Sequence, residues 1–548
     1  MNFPETGGVC GGSSPLSLNS RLTPDGVIPQ SAQNMKQLSA LAAALMVPVM
    51  ALAQERPVKQ VSLEECIQMA LQKNLDIRIS RFAPELTQLS LEANYGAYDP
   101  NFTFGANRNL NESPARFIEA GLTAAAVNQE VNTFNTGLSG LLPTGTRYSL
   151  TGNVIRTDSD DDLYFNRTNY VGTFLDTQFT GGARATLTQP LLKNFWIDGA
   201  RLSIQLSKKT LKQDELTVRG QVIATVTDVQ IAYYNLASAR EAVAVQEKAL
   251  ELAERSLAEN KKRVEVGAMA PLEEKQAEAQ VAASKADLLD ARQNYSIALN
   301  SLKALVSDDF AGFEAALDPS DKLVPVAYPF SRQESWHKAL TMRPDLLRRQ
   351  VDLEKQAITL RFRKNQLFPQ LDLAASYSVS GAATAYAGNL DGVPDRHVGD
   401  FFGQIRDRDY ASHGFGVTLT MPLSNRAERR NFQAAKVTKE SLLLDLKRAE
   451  QQIMVAVDNA ILTAQTAFER VEATKQSRIY AEQALDAEQK KLENGKSTSF
   501  VVLRLQRDLT QARSNEIRAI ADYFRSLSLL HEAEGATLDS SGVKLEIR

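Results

Sequence analysis

The chain has 548 residues, a formal net charge of −3, 43% hydrophobic and 23% charged residues, enough apolar material for a large buried core. That balance lacks the concentrated basic surface that phosphate binding demands, which excludes a nucleic-acid partner. Two cysteines, Cys10 and Cys66, and four scattered histidines, His337, His397, His413 and His531, form neither a disulfide framework nor a metal-ligand set, so no cofactor is expected.

Residues 1–34 are rich in Gly, Pro and Ser and read as an extension ahead of a true start at Met35. Lys36 then gives a positive n-region, Leu38 to Met50 an apolar run, and Ala51-Leu52-Ala53 a small-x-small cleavage site before Gln54. Residues 35–53 therefore read as a signal peptide, cut between Ala53 and Gln54. No cysteine follows the cut, so no lipid is expected there. From Gln54 onward the sequence lacks the run of about 18 apolar residues that a membrane-crossing helix requires.

The mature chain is internally duplicated. Ala70-Leu71-Gln72-Lys73-Asn74-Leu75-Asp76 returns as Ala339-Leu340-Thr341-Met342-Arg343-Pro344-Asp345, a shift of 269 residues that also relates Pro100 to Pro369. Leu187-Thr188-Gln189-Pro190-Leu191 returns as Leu419-Thr420-Met421-Pro422-Leu423. From Arg201 the shift settles at 228, as in Leu257/Leu485, Gly267/Gly495, Tyr295/Tyr523 and Leu302/Leu530. The drop from 269 to 228 means that the first copy carries the longer strand region. The copies are expected over 54–306 and 332–535, joined by a linker at 307–331 and followed by a tail at 536–548.

Each copy repeats one grammar. A short helix (Leu63 to about Asn94; Arg332 to about Leu367) precedes strands within about 98–190 and within about 370–423. A helical hairpin follows, over 198–306 with its tip at Gly267 and over 426–534 with its tip at Gly495. Glycine ends a helix by taking the left-handed conformation, and Pro271 suits the first turn of the next helix. In the first long helix Val222, Val229, Leu236, Val243, Leu250, Leu257 and Val264 recur every seventh residue. Val457, Ala464, Val471, Leu485 and Leu492 repeat the register in the second, with Arg478 as the exception. Val281, Leu288, Tyr295 and Leu302 repeat it on a return helix. A seven-residue repeat demands left-handed supercoiling against partner helices.

The strands alternate. Leu371, Leu373, Ala375, Tyr377 and Val379 are spaced by Asp372, Ala374, Ser376 and Ser378, and Phe415, Val417 and Leu419 by Gly416 and Thr418. Phe102, Phe104 and Ala106 alternate with Thr103 and Gly105, and Phe179 to Leu187 sets Thr180, Arg184 and Thr186 on the opposite face. Apolar outside and small polar inside is the pattern of an outer-membrane barrel. Four strands per chain cannot close, and open edges in lipid leave backbone groups unpaired, so closure by symmetric association is expected, three copies giving twelve strands. Val131 to Leu141 and Thr146 to Ile155 form a further hairpin, joined at Leu142-Pro143-Thr144-Gly145, that is either a loop excursion or two more wall strands. Asp158 to Asp162 reads as a solvated extracellular loop.

Ser62-Leu63-Glu64-Glu65-Cys66-Ile67 through Asn74, Tyr98-Asp99-Pro100, Leu187-Thr188-Gln189-Pro190-Leu191 and Val264-Glu265-Val266-Gly267, in order and duplicated, resemble the TolC family of outer-membrane efflux proteins over 61–535. The resemblance implies a mainly α protein with a membrane β-barrel: a homotrimer whose twelve-stranded barrel, set in outer-membrane lipid, continues into a twelve-helix coiled-coil α-barrel. It also implies docking on a periplasmic adaptor and an inner-membrane pump or ABC-type exporter. Carried over, the adaptor-facing tips are Val266-Gly267-Ala268, with Pro271 beyond, and Asn494-Gly495-Lys496. Some members place a ring of acidic residues past the second tip; here Val501 and Arg504 stand at those positions, and Glu273 and Glu274 are the nearest acidic candidates for a periplasmic gate. No phosphate-binding loop or nucleophile elbow occurs, so a passive exit channel is expected rather than an enzyme. The alternative is a periplasmic coiled-coil structural or adaptor protein without a pore.

Overall fold

A computed structural model describes residues 58–114, 116–119, 122–124, 127–164, 171–267, 269–309, 316–386 and 397–543. The expected leader, with Ala53 and Gln54, lies outside the described residues. In the first copy β1 (Val58–Val61) precedes α1 (Leu63–Lys73) and α2 (Leu75–Tyr95). Strands β2 (Asn101–Ser113), β3 (Arg116–Glu119), β4 (Leu122–Ala124), β5 (Val127–Leu141), β6 (Arg147–Tyr164) and β7 (Val171–Pro190) follow, then α3 (Gly199–Glu265) and α4 (Pro271–Val306). After β8 (Ala316–Pro319) the second copy runs α5 (Arg332–Met342), α6 (Pro344–Asn365), β9 (Gln370–Tyr386), α7 (Val398–Asp407), β10 (Tyr410–Thr420), α8 (Arg426–Glu493) and α9 (Ser499–Glu534), with α10 (Thr537–Ser540) behind it.

The single short helix expected at the start of each copy is two helices. Asn74 breaks the first: its side chain accepts hydrogen bonds from the Asp76 and Ile77 amides and donates to the Leu305 carbonyl at 3.1 Å. Pro344 breaks the second, because it lacks the N–H that an uninterrupted helix would use. The duplicated motif around Asp76 and Asp345 is therefore a helix junction.

Helices α3 and α8 are 67 and 68 residues long, about 100 Å each at 1.5 Å per residue. Their heptad positions explain the packing. Val222, Val229 and Leu236 are fully buried, whereas Val243, Leu250, Leu257 and Val264, nearer the tip, are half-buried. In α8, Val457, Ala464, Val471 and Leu485 are buried. Arg478 interrupts that series because its guanidinium reaches Glu516 on α9 at 2.6 Å, so the seam carries an ion pair there.

The helices lie abreast in layers of four. Near the sheet the order is α2, α3, α6, α8. Thr87 donates to Asp214 at 2.6 Å, Gln213 to Asp352 at 2.6 Å and Gln356 to the Ala435 carbonyl at 2.8 Å across successive seams. Toward the tips the order becomes α4, α3, α9, α8. Between the two halves, β1 pairs in parallel with β8, and Val61, Cys66, Ile67, Ala70, Tyr233, Leu302 and Leu317 form a shared core. The Tyr233 hydroxyl bonds Asp321 at 2.8 Å, and Asp321 in turn accepts from the Leu63 amide at the start of α1.

The main sheet is antiparallel, ordered β2, β5, β6, β7, β9, β10, with the short β3 and β4 branching from β6. Of the two placements left open for the 131–155 hairpin, the structure has the second: it is paired along both sides, to β2 and to β7, so the described residues contribute six long strands where four were counted without it. Twelve strands no longer follow from three copies. Asp158 to Asp162 is likewise not a loop but a stretch of β6 bonded to β7, with Asp158 held by Arg156 and by the Thr177 hydroxyl. Sequence alternation misassigned it because charge there outweighs the strand signal. At the far end of β9, Phe401 of α7 is buried and Gln404 bonds the Ala382 backbone in both directions, covering the edge that β10 leaves.

Cys66 is fully buried, and burial, with nearby Glu65, pushes its thiol up to about 12. At pH 8 the native protein, tested with a maleimide or iodoacetamide, is expected to leave this thiol unmodified and to react only on unfolding, since the thiolate is the reactive form. Rapid labelling of native protein would contradict this packing.

Candidate functional site: paired hairpin tips below an unclosed sheet

The two hairpins turn by the same device. Gly267 (φ +72°) follows α3 and Gly495 (φ +69°) follows α8, both in the left-handed region. Nothing lies within 4 Å of the position a side chain would occupy, so the backbone angle alone selects glycine. At the second tip the Gly495 amide donates to the Leu492 carbonyl at 3.0 Å and the Lys496 amide to the Lys491 carbonyl at 2.8 Å, the paired bonds that close a helix C-terminus. At the first, the Gly267 amide donates to the Val264 carbonyl at 2.9 Å. Pro271 is the first residue of α4, where its missing N–H costs nothing.

The tips are held together. Asn260 of α3 is 5% exposed and donates through Nδ2 to the Ser499 hydroxyl of α9 at 2.9 Å. This bond joins the first hairpin to the second. Sequence reading missed both residues, although a signal existed: Asn260 sits three places past the heptad residue Leu257, in the seam beside Ala253, where a polar residue fixes register at the expense of stability. Its equivalent in the second copy, Glu488, accepts instead from the Ser497 hydroxyl of its own turn at 2.6 Å. The Lys491 ammonium and the Ser497 hydroxyl hold the Glu488 carboxyl below the usual range.

Around these turns stand exposed apolar side chains: Val266 at 78%, Leu272 at 67% and Phe500 at 54%. Leu272 and Phe500 occupy equivalent positions past their glycines. Asn494 and Lys496 are exposed, while Ala268 lies outside the described residues. Of the expected gate residues, Glu273 and Glu274 are half-buried in the first turn of α4. Val501 is partly exposed on α9, and Arg504 points to solvent with Asp508 4.0 Å away. The structure groups all four within the tip region but forms no acidic cluster from them. Among the described residues no set of three acidic, histidine or cysteine side chains could hold a metal, and no helix is long and apolar enough to cross a membrane.

At the opposite end the sheet separates its two faces. Phe102, Leu138, Leu150, Ala185 and Tyr377 share one row, and Ala106, Phe134 and Val154 another on that face. Between them Thr103, Gly137, Thr151, Arg184 and Ser378 form a polar row on the reverse. Phe102 and Phe104 on one edge strand and Phe415, Val417 and Leu419 on the other are each more than 60% exposed.

Two separate stretches, 149–307 and 336–536, one within each copy, match the pattern of the outer membrane efflux protein family. The chain belongs to that family. It is 23% identical over 380 residues to outer membrane efflux protein BepC of Brucella suis, covering 68% of this chain and 75% of that one. It is 21% identical over 350 residues to nodulation protein T of Rhizobium leguminosarum, covering 62% and 66%. The outer membrane channel CmeC of Campylobacter jejuni has the same fold, with a TM-score of 0.58 at 16% identity over 94% of each chain. VceC of Vibrio cholerae gives 0.59 at 16% identity over 86% of this chain and 96% of its own. As a member of this family the chain is an exit channel of the outer membrane that extends into the periplasm.

Removing the Ser499 hydroxyl strands a buried amide at a cost of about 1–3 kcal/mol. S499A is therefore expected to speed hydrogen exchange across residues 494–503, and S499T to leave it unchanged. Equal exchange in S499A and the parent would show that the inter-hairpin bond does not hold the tips.

Proposed function

We propose that the chain closes with two further copies of itself into a passive conduit from periplasm to exterior, with the paired hairpin tips as its periplasmic mouth. The observation that carries this reading is the pair of unfinished apolar edges on the helical layer. Helix α2 presents Ile79, Phe82, Leu86 and Leu89, all more than half exposed and spaced by three and four residues along one stripe. Helix α8, at the other side of the layer, presents Val437, Leu444, Val455 and Leu462, again more than half exposed. Each such side chain is worth on the order of 1–2 kcal/mol once a neighbour covers it. Stripe on stripe, repeated round a threefold axis, gives a ring of twelve helices, and the free edges β2 and β10 above are satisfied by the same operation.

In this reading a periplasmic adaptor engages the tips through Val266, Leu272 and Phe500 around Gly267 and Gly495. An inner-membrane pump or ABC-type exporter supplies the energy, and the channel supplies only a water-filled path. Glu273, Glu274, Val501 and Arg504 line the closable mouth. With Arg504 where an acidic residue would attract cations, the mouth does not select for cations by an acidic ring. The half-buried heptad positions Val243 to Val264 allow the lower helices to shift against their neighbours, which a fully buried seam would resist.

Proline cannot adopt the φ of Gly495 and removes the amide that bonds Leu492. G495P is expected to lose export, read as dye retention in cells that also express the native inner-membrane partners. The oligomer should persist, read as slow migration on unboiled gels. Normal export by a stably inserted G495P protein would rule out the docking role of the tip.

A further inference from the structure

Among the described residues the hairpin of β5 and β6 has no counterpart in the second copy, which contributes two long strands where the first contributes four. Its placement is that of a wall. β5 is bonded to β2 from Asn101↔Ser139 to Ser113↔Val127, and to β6 from Leu141↔Arg147 to Asn128↔Asp160. Its inner turn is built into the junction of sheet and helix: the Thr146 hydroxyl bonds Gln189, and Gly145 packs on Arg201, which also bonds Asp198 at the start of α3. Its side chains keep the sheet's two faces, with Phe134, Leu138, Leu150 and Val154 in the apolar rows and Asn135 and Asn153 in a polar one. A plug or an excursion would share neither the rows nor the double-edged pairing.

We propose, on the basis of the conduit described above, that three copies close a barrel of eighteen long strands rather than twelve, with β10 of one copy bonded to β2 of the next. The parity is right. Five antiparallel steps separate β2 from β10, so the two edges run in opposite directions and close without a parallel seam. The need is equally clear, because a free edge in lipid leaves several kcal/mol per unpaired group. The arc also fits the helices. Strands about 4.8 Å apart and tilted about 40° take about 6 Å of circumference each, so six span about 38 Å. Four helices abreast at 8–10 Å span roughly 32–40 Å. The added hairpin brings the sheet up to the width of the helical layer that carries it.

Eighteen strands set the barrel backbones about 36 Å apart across the pore, against about 24 Å for twelve, leaving a lumen of about 25 Å instead of about 14 Å after side chains. Such a lumen is wide enough for hydrated polymer coils about 20 Å across.

The test uses the full-length oligomer in bilayers. Single cysteines are placed, in a C10S background, at Asn135 and Asn153 on the polar face and at Leu138 and Leu150 on the apolar face; the buried Cys66 gives no background. A membrane-impermeant maleimide is expected to label N135C and N153C and to leave L138C and L150C unlabelled. Native mass spectrometry should count three copies. Polyethylene glycols about 20 Å in diameter, added on the barrel side, should enter and reduce the current. Labelling without alternation, a copy number other than three, or exclusion of every polymer above about 14 Å overturns the eighteen-strand wall. Pore current with a narrow lumen sinks this inference alone, whereas an oligomer that carries no current sinks the conduit as well.

Discussion

A β-strand edge in hydrocarbon has no solvent to bond, and this one constraint governs the architecture. Among the described residues, β2 and β10 each present a row of amides and carbonyls with no strand partner. Their sheet also exposes Phe102, Phe104, Phe415 and Val417. In the proposed conduit a neighbouring copy pairs with both edges of this sheet. The helical layer inherits the same requirement. Its outer helices α2 and α8 carry exposed apolar stripes, which the proposed threefold closure would cover together with the free strands.

Within the chain the heptad seams do graded work. Where α1, α2 and the link strand crowd α3, the seam residues Val222, Val229 and Leu236 are sealed, and Tyr233 and Asp321 tie the N-terminus of α1 to the coil. Toward the tips burial declines and polar residues enter the seam. Asn260 reaches Ser499 and Arg478 reaches Glu516, each a directional bond in place of non-directional packing. Directional bonds specify which helix lies beside which while contributing less than packed hydrocarbon would. A firm middle and a loosely sealed tip region fit the proposed conduit, in which one end opens while the rest stays assembled.

The duplication was legible because repeated positions keep a constant offset, and so were the long helices, because a seven-residue period has no strand counterpart. The glycines of the tips were legible for the same reason: Gly267 and Gly495 fall at equivalent places, and their positive φ explains why. The breaks at Asn74 and Pro344 were less so. Asn74 ends one helix and caps the next within an apolar pattern that runs through both, and periodicity does not register a break that preserves phase. The β6 stretch through Asp158–Asp162 was misread because five polar residues look like a loop until the partner strand is known. Asn260 and Ser499 escaped because their meaning depends on a contact 239 residues apart.

Sequence by itself determined the local physics: which segments alternate, which repeat every seven, where each helix must reverse, and that the whole is doubled. These follow from bonds and side chains a few residues apart, and no tertiary contact is needed to read them. Only the tertiary structure decided how many strands share the wall, which helices lie abreast, and which residues lock the two hairpins together. Those depend on register between distant segments, and alternation with period two is blind to which neighbour a strand takes.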